Sequence, residues 1–345
     1  MTRALRGADA LLAAGLVPAE RLPALRDVAE RYAISITPDM AALIETPEDG
    51  IGRQFLPRAE ELETRPEERL DPIGDAAHSP LAGIVHRYPD RVLLKVLHVC
   101  PVYCRFCFRR EMVGPEGLGS LTDEELDAAL AYIAGDAGIW EVVLTGGDPF
   151  LLSPRRLAFI AEALRAVPHV RVLRLHTRVP SVQPGRVTDE LVAALKAFGG
   201  AVFVALHANH PKEFTAEAKA AIARLVDAGI PMVSQSVLLA GVNDDAETLG
   251  GLMRAFVENR VKPYYLHQGD LAPGTAHFRT SIAAGQDILR RMRGRVSGLC
   301  QPTYVLDIPG GHGKVPIGPN YLGGEGEDLL VEDPQGRRHP YPPKS

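Results

Sequence analysis

From about residue 90 the chain alternates short apolar, β-branched runs with stretches whose apolar positions recur at helical spacing. The runs "RVLLKVLHV" (91–99), "WEVVLTG" (140–146), "RVLRLHT" (171–177), "AVFVALH" (201–207), "PMVSQSVLL" (231–239), "PYYLHQ" (263–268) and "TYVLDI" (303–308) predict strands. Between them, "TDEELDAALAYIAG" opens on Thr122 with Glu125 three residues later, and "TAEAKAAIARLVDAG" stops at Gly229. Both read as capped helices. The pattern is six βα units and a closing strand. Such alternation calls for parallel strands with crossover helices, in a doubly wound sheet or a barrel. The polar residues choose between the two, because unusual motifs follow every strand: a cysteine cluster, then "TGGDP", "HTR", "HANH", "QSV", "HQGD" and "DIPGGHGK". A barrel gathers all strand ends at one mouth, whereas a doubly wound sheet concentrates ligands at one switch point. Seven decorated strand ends predict an α/β fold with an incomplete barrel.

Residues 1–75 lack this rhythm and read as helices broken by prolines, an N-terminal helical extension serving as a cap or an oligomerisation element. Residues 76–322 then form the barrel, and 323–345 a tail that reads as an extended arm or frayed end. Near the start, Asp9 interrupts the short apolar stretch and "PAERLPALRDVAERY" follows with helical periodicity, so the segment reads as a helix of a cytoplasmic protein and not as a secretory signal. With 46% hydrophobic and 23% charged residues in 345, and no long apolar run, neither a membrane span nor a disordered chain is expected. A formal charge of -5 offers nothing to nucleic acid.

Three of the four cysteines lie in "CPVYCRFC" as Cys100, Cys104 and Cys107, and the fourth is Cys300. Three bunched thiols in a chain of this length are not a disulfide framework. One reading is a zinc site completed by His98 or Cys300. The other is an iron-sulfur cluster in which one iron lacks a protein ligand and binds a substrate or cofactor.

The motif, with Phe106 beside Cys107 and "GGDP" at the end of the next strand, resembles the radical S-adenosylmethionine (SAM) superfamily. The stretches "HRYPDRVLLKVLHVCPVYCRFCFRR", "LTGGDPFLLSP", "ALHANHP", "QSVLLAGVND", "KPYYLHQGDLAPGTAHFRT" and "PTYVLDIPGGHGKVPIGPNYL" narrow it to the lysine 2,3-aminomutase family. The resemblance implies a partial (β/α)6-type TIM barrel and three cofactors: a 4Fe-4S cluster on Cys100, Cys104 and Cys107, SAM, and pyridoxal 5'-phosphate (PLP). It implies that Lys314, at the end of a Gly-rich turn, carries PLP as a Schiff base, with Arg87, Tyr88, Arg91 and Gln235 around that cofactor. Gly146, Gly147, Asp148, Arg178 and His207 would serve SAM. Arg109 would take the substrate carboxylate, and Asp270 and Asp307 the side-chain ammonium of L-lysine, because a cation relieves the repulsion between two carboxylates.

The implied reaction interconverts L-lysine and β-lysine, a 5'-deoxyadenosyl radical abstracting hydrogen while the amino group migrates with the help of PLP. It requires a reductant such as flavodoxin or ferredoxin, and a homo-oligomer is expected. Arginine as substrate, a β-lysine supply for elongation factor P, a radical enzyme that consumes SAM, and a zinc-stabilised binding module are the rival readings. Longer relatives carry a zinc site with a cysteine where Asp245 stands here, so no structural zinc is expected.

Overall fold

The computed structural model describes residues 4–113 and 119–343. One sheet contains nine strands in chain order: β1 (Ile84–Tyr88), β2 (Arg91–Leu97), β3 (Glu141–Gly146), β4 (Val172–Thr177), β5 (Ala201–His207), β6 (Met232–Val237), β7 (Val261–His267), β8 (Thr303–Asp307) and β9 (Lys314–Pro316). From β2 to β8 every neighbouring pair is parallel. Strands β1 and β9 run antiparallel along the two edges, so the sheet curls into an open half-barrel. All seven predicted strands are present. The periodicity missed β1 and β9, which are short and partly polar and owe their conformation to the edge of the neighbouring strand.

The expected helix caps form. Thr122 accepts from the Glu125 N–H and the Glu125 carboxylate accepts from the Thr122 N–H, a capping box at the head of the helix Asp123–Gly135. Thr215 caps Ala216–Asp227, and Asp245 caps Ala246–Glu258 by accepting from Glu247 and Thr248. Asp245 is thus occupied at a helix N-terminus.

Strand parity separates packing from chemistry. Leu94 and Val96, Val142 and Leu144, Leu173 and Leu175, and Val202, Val204 and Leu206 point outward into one apolar core beneath the helices. Their alternates, Leu93, Val143, Thr145, Arg174, His176, Phe203, His207, Val233, Gln235, Tyr265, His267 and Asp307, point inward. A period of two makes this division automatic. What is unusual is the interior: charged and imidazole groups stand where a closed barrel would be filled with branched aliphatic side chains.

The N-terminal segment builds a second apolar cluster, including Leu11, Leu25, Ile36, Met40, Ile51 and Phe55, which also takes in Val102 of the cysteine loop and Val182 after β4. It grips that loop by its backbone: Tyr103 N donates to Ser35 O at 3.0 Å and Arg105 N to Gln54 O at 2.9 Å. Glu61, fully buried, pairs with Arg105 and Arg110 on either side of Cys107. Burial opposes its charge, but the two guanidinium groups outweigh that and hold its carboxyl below the usual range. Glu61→Ala strands two buried cations and is expected to cost about 3–5 kcal/mol in a denaturant titration; an unchanged unfolding midpoint would show that water replaces the carboxylate.

The tail differs from the expected arm. Leu322–Gly323, Leu330–Glu332 and Arg338–Pro340 form a small antiparallel sheet, tied to the last crossover helix by Arg290 and Glu332 at 2.9 Å. Its strands, two or three residues long, are too short for a sequence period to reveal. No helix among the described residues is long and apolar enough to cross a membrane.

Candidate active site

The cysteine loop leaves the carboxyl end of β2, and the end of β3 passes close beside it. Gly147 N donates to Leu97 O at 2.6 Å and Asp148 N to Val99 O at 3.0 Å. A Cβ on Gly146 would lie 2.5 Å from Leu97 O, and one on Gly147 2.3 Å from Val99 O, so both glycines are steric requirements of this approach. The Asp148 carboxylate, also buried, accepts from Thr177 Oγ1, Arg178 N and Phe150 N at 2.7, 2.7 and 3.0 Å. Its bonds run to the protein, fixing β3 to β4.

Burial raises the thiol pKa of Cys100 and of Cys107. Burial is the largest cause for Cys100, followed by the charges of Asp148 and the other two thiols, and Cys107 is pushed up to about 11 by burial and then by Cys104. Such thiols ionise together only when positive charge arrives. Among the described residues no three His, Cys, Asp or Glu side chains converge on a point where one ion would be held. A cluster suits this donor set, since each thiolate binds a different iron. Cys300 belongs elsewhere: it lies in the short helix Gly298–Cys300 that precedes β8, at the opposite end of the barrel, buried in the main apolar core. The reading in which Cys300 completes the set is thereby excluded.

Below the loop, the half-barrel encloses a cavity of about 700 Å³. Arg87, Tyr88, Arg91, Arg109, His207, Gln235, Asp270, Asp307 and Lys314, drawn from across the sequence, all line it. Lys314 Nζ is paired with Asp307 and lies 3.1 Å from His267 Nδ1. Its backbone N–H donates to Tyr88 Oη at 2.8 Å. The turn before it has φ of 90°, 84° and 96° at Gly310, Gly311 and Gly313, conformations that only glycine adopts without strain, so the turn can fold β9 back and aim the lysine inward.

The two carboxylates are coupled. Burial opposes the charge of Asp307, but the His267 hydrogen bond and the Lys314 ammonium outweigh it and hold that carboxyl far below its usual range. Asp270 is pushed up to about 7, first by burial and then by the charge of Asp307. Arg109 donates to Asp75 Oδ2 at 2.8 Å, and Arg87 to Asp75 Oδ1 at 3.2 Å and to Ile73 O at 2.7 Å. Arg91 pairs with Asp90 at 2.6 Å and stacks on Tyr88 at 3.9 Å. Burial and nearby positive charge push His207 down to about 3 and hold His176 and His267 below the ordinary imidazole range.

The cavity is polar and only partly satisfied. Nε of Arg87 and Arg109 and Nε2 of His176 and His267 are buried without a hydrogen-bond partner among the described residues. Buried donors left so are costly, and a polar ligand would satisfy them. Of the residues predicted for SAM, His207 lines this cavity while Gly146, Gly147, Asp148 and Arg178 do not, and Arg178 turns to Cys104. Sequence reasoning missed Asp75, His176, Arg174 and His267. Asp75 is the last residue of the N-terminal extension, and it reaches the site because Gly74 packs on the Gly-rich turn: a Cβ there would be 2.3 Å from Gly311 N. The inward parity of β4 could have found Arg174 and His176, and the string "HQGD" could have drawn notice to His267 along with Asp270.

An open parallel half-barrel with three cysteines past its first parallel strand defines the radical SAM class of protein, and the description "Radical SAM superfamily" matches residues 94–250. The model described as "Lysine-2,3-aminomutase" matches residues 289–332. The L-lysine 2,3-aminomutase of Acetoanaerobium sticklandii is 43% identical over 300 residues, covering 86% of this chain and 72% of its own. That of Clostridium subterminale is 42% identical with the same coverage. A glutamate 2,3-aminomutase of Clostridioides difficile, a related branch, is 36% identical over 309 residues, 89% of this chain and 72% of its own. The chain belongs to the lysine 2,3-aminomutase family. Membership brings a 4Fe-4S cluster and SAM as cofactors, and PLP is characteristic of the family.

Proposed function

We propose that this chain is a 2,3-aminomutase that interconverts L-lysine and β-lysine. The observation that carries the reading is the placement of one amine, Lys314, and two coupled carboxylates, Asp270 and Asp307, in a single cavity beneath three cysteines. In this reading Cys100, Cys104 and Cys107 hold the cluster, Lys314 carries PLP, and Gly146, Gly147 and His207 border SAM. When bound, these groups supply a hydrogen-abstracting radical and a conjugated system that eases the migration of nitrogen.

The protein's own residues position the substrate. Tyr88, by accepting from the Lys314 backbone, keeps the amine directed into the cavity. Asp307, buried and held in its ionised form, would receive the side-chain ammonium of lysine, with Asp270 beside it. Arg109 is the donor for the substrate carboxylate, with Asp75 holding its guanidinium in place. Two acidic groups at the far end oppose a glutamate side chain. An electron donor of the flavodoxin or ferredoxin type completes the reading.

The test is anaerobic incubation with reductant, SAM, PLP and a panel of lysine, arginine and glutamate, with β-amino products identified by mass. β-Lysine is the expected product, and turnover of glutamate alone would overturn the assignment. Asp270 adds a pH signature. Below about 7 its carboxyl keeps a proton, so attraction for a cationic substrate falls as pH drops through that value. Of the neighbouring histidines, His207 at about 3 stays neutral over the same range, and His176 and His267 are also shifted down. Apparent lysine affinity is expected to fall about tenfold from pH 8 to pH 6, tracking the ionised fraction. Asp270→Asn should flatten the profile and raise KM; a variant with the wild-type slope would assign the titration to another group.

A further inference from the structure

Arg178, which follows β4, has no free geometry. Its Nη1 donates to Cys104 Sγ at 3.0 Å. Its Nη2 donates to Gln54 Oε1 at 2.5 Å and to Glu213 Oε2 at 2.9 Å. Its backbone N–H is held by Asp148 at 2.7 Å, and its guanidinium lies over the rings of Phe55 and Phe106 at 4.8 and 5.5 Å. Glu213, fully buried, is itself held by the N–H groups of Asn209 and His210 at 2.8 and 3.0 Å and by Gln54 Nε2 at 3.2 Å. Three parts of the chain, 54, 178 and 209–213, therefore converge to aim one N–H at one cysteine sulfur. Arg105 and Arg110 flank the same loop but spend their donors on Glu61 and on carbonyl oxygens.

We infer that Arg178 is a positioning residue that holds Cys104 as a charge-assisted hydrogen-bond acceptor and thereby raises the reduction potential of the cluster. The inference rests on the cluster reading given above. Reduction adds an electron to a centre already held by three anionic sulfurs, so the reduced state carries more negative charge on its ligands. A buried N–H aimed at a ligand sulfur stabilises that state more than the oxidised one. Glu213 neutralises much of the formal charge of Arg178, which leaves the directed N–H···S bond as the main contribution. The locked guanidinium makes that bond insensitive to what occupies the cavity.

The experiment uses the full chain reconstituted anaerobically with iron and sulfide, without SAM, and compares wild type, Arg178→Gln and Arg178→Lys by iron content and by a redox titration followed by electron paramagnetic resonance. The expected result is full iron in all three, a midpoint potential shifted negative in R178Q, and a smaller negative shift in R178K, which keeps a donor without the fork. Should R178Q lose iron, the R178K shift decides. An unchanged potential at full iron in R178Q overturns the inference, as does iron loss in both variants, which would make Arg178 an assembly element only. A parallel binding titration with SAM, run on the same proteins, completes the test: weaker SAM affinity at an unchanged potential assigns Arg178 to that ligand and also overturns the inference. A wild-type protein that takes up no iron sinks the cluster reading itself, and so is told apart from failure of this inference.

Discussion

Replacing Lys314 by alanine is expected to abolish amino migration and to remove the visible absorbance of bound PLP, while iron content stays at the wild-type value. Among the described residues that line the cavity, Lys314 is the one that carries an amine. Three glycines with positive φ and the Tyr88 hydroxyl direct it there, and a histidine and a carboxylate meet its Nζ. Loss of a covalent attachment group removes a step that no neighbour can perform, so turnover should fall by more than about a thousandfold. Added amines restore part of it only if the cofactor still binds. The iron measurement makes the prediction specific, because the cysteine loop hangs from β2 and from the N-terminal segment and does not touch the Gly-rich turn through any hydrogen bond described above. A K314A protein that retains both PLP absorbance and turnover would falsify the assignment.

The second large effect separates the four cysteines. Alanine at Cys100, Cys104 or Cys107 is expected to eliminate the iron-sulfur chromophore and all radical chemistry, since three thiolates are the minimum that holds a 4Fe-4S cluster with one open iron. Cys300→Ala should keep full iron and near wild-type turnover, at a stability cost of about 1 kcal/mol for a lost core contact. The reason is position: Cys300 is 4% exposed in the core that precedes β8, whereas the other three follow β2 at the opposite end of the strands. Iron loss in C300A, measured under the same anaerobic reconstitution, would bring back a four-cysteine centre and remove the open coordination position on which the proposed reaction depends.

The legible part of the molecule was whatever repeats locally. Seven parallel strands fell within a few residues of their predicted limits because each has a β-branched run bounded by turn residues, and the cap at Thr122 declares itself through the Glu125 side chain three residues on. The cysteine spacing and the Gly-rich turn before Lys314 are equally local. Asp75 was not legible, since nothing in "DPIGD" distinguishes a linker from a lining element; only its packing on Gly311 carries it to Arg87 and Arg109. The N-terminal segment read as helices broken by prolines, serving as a cap or an oligomerisation element. That the cap reaches through Glu61 and Gln54 to both sides of the cysteine loop depends on contacts across 44 residues and more.

The amino-acid order alone determined the strand and helix alternation, the parity that divides an apolar outer face from a polar inner one, and the thiols and the amine that chemistry requires. These follow from periods of two and 3.6 and from short spacings, which any chain carries with it before it folds. Tertiary structure decided that Cys300 lies apart from the other cysteines, that Arg178 meets Cys104, and that burial and Asp307 push the Asp270 carboxyl up while Lys314 and His267 hold Asp307 down. Such outcomes depend on distance and on exclusion of water, and both come into being only when the half-barrel curls and brings strand ends more than two hundred residues apart around one cavity.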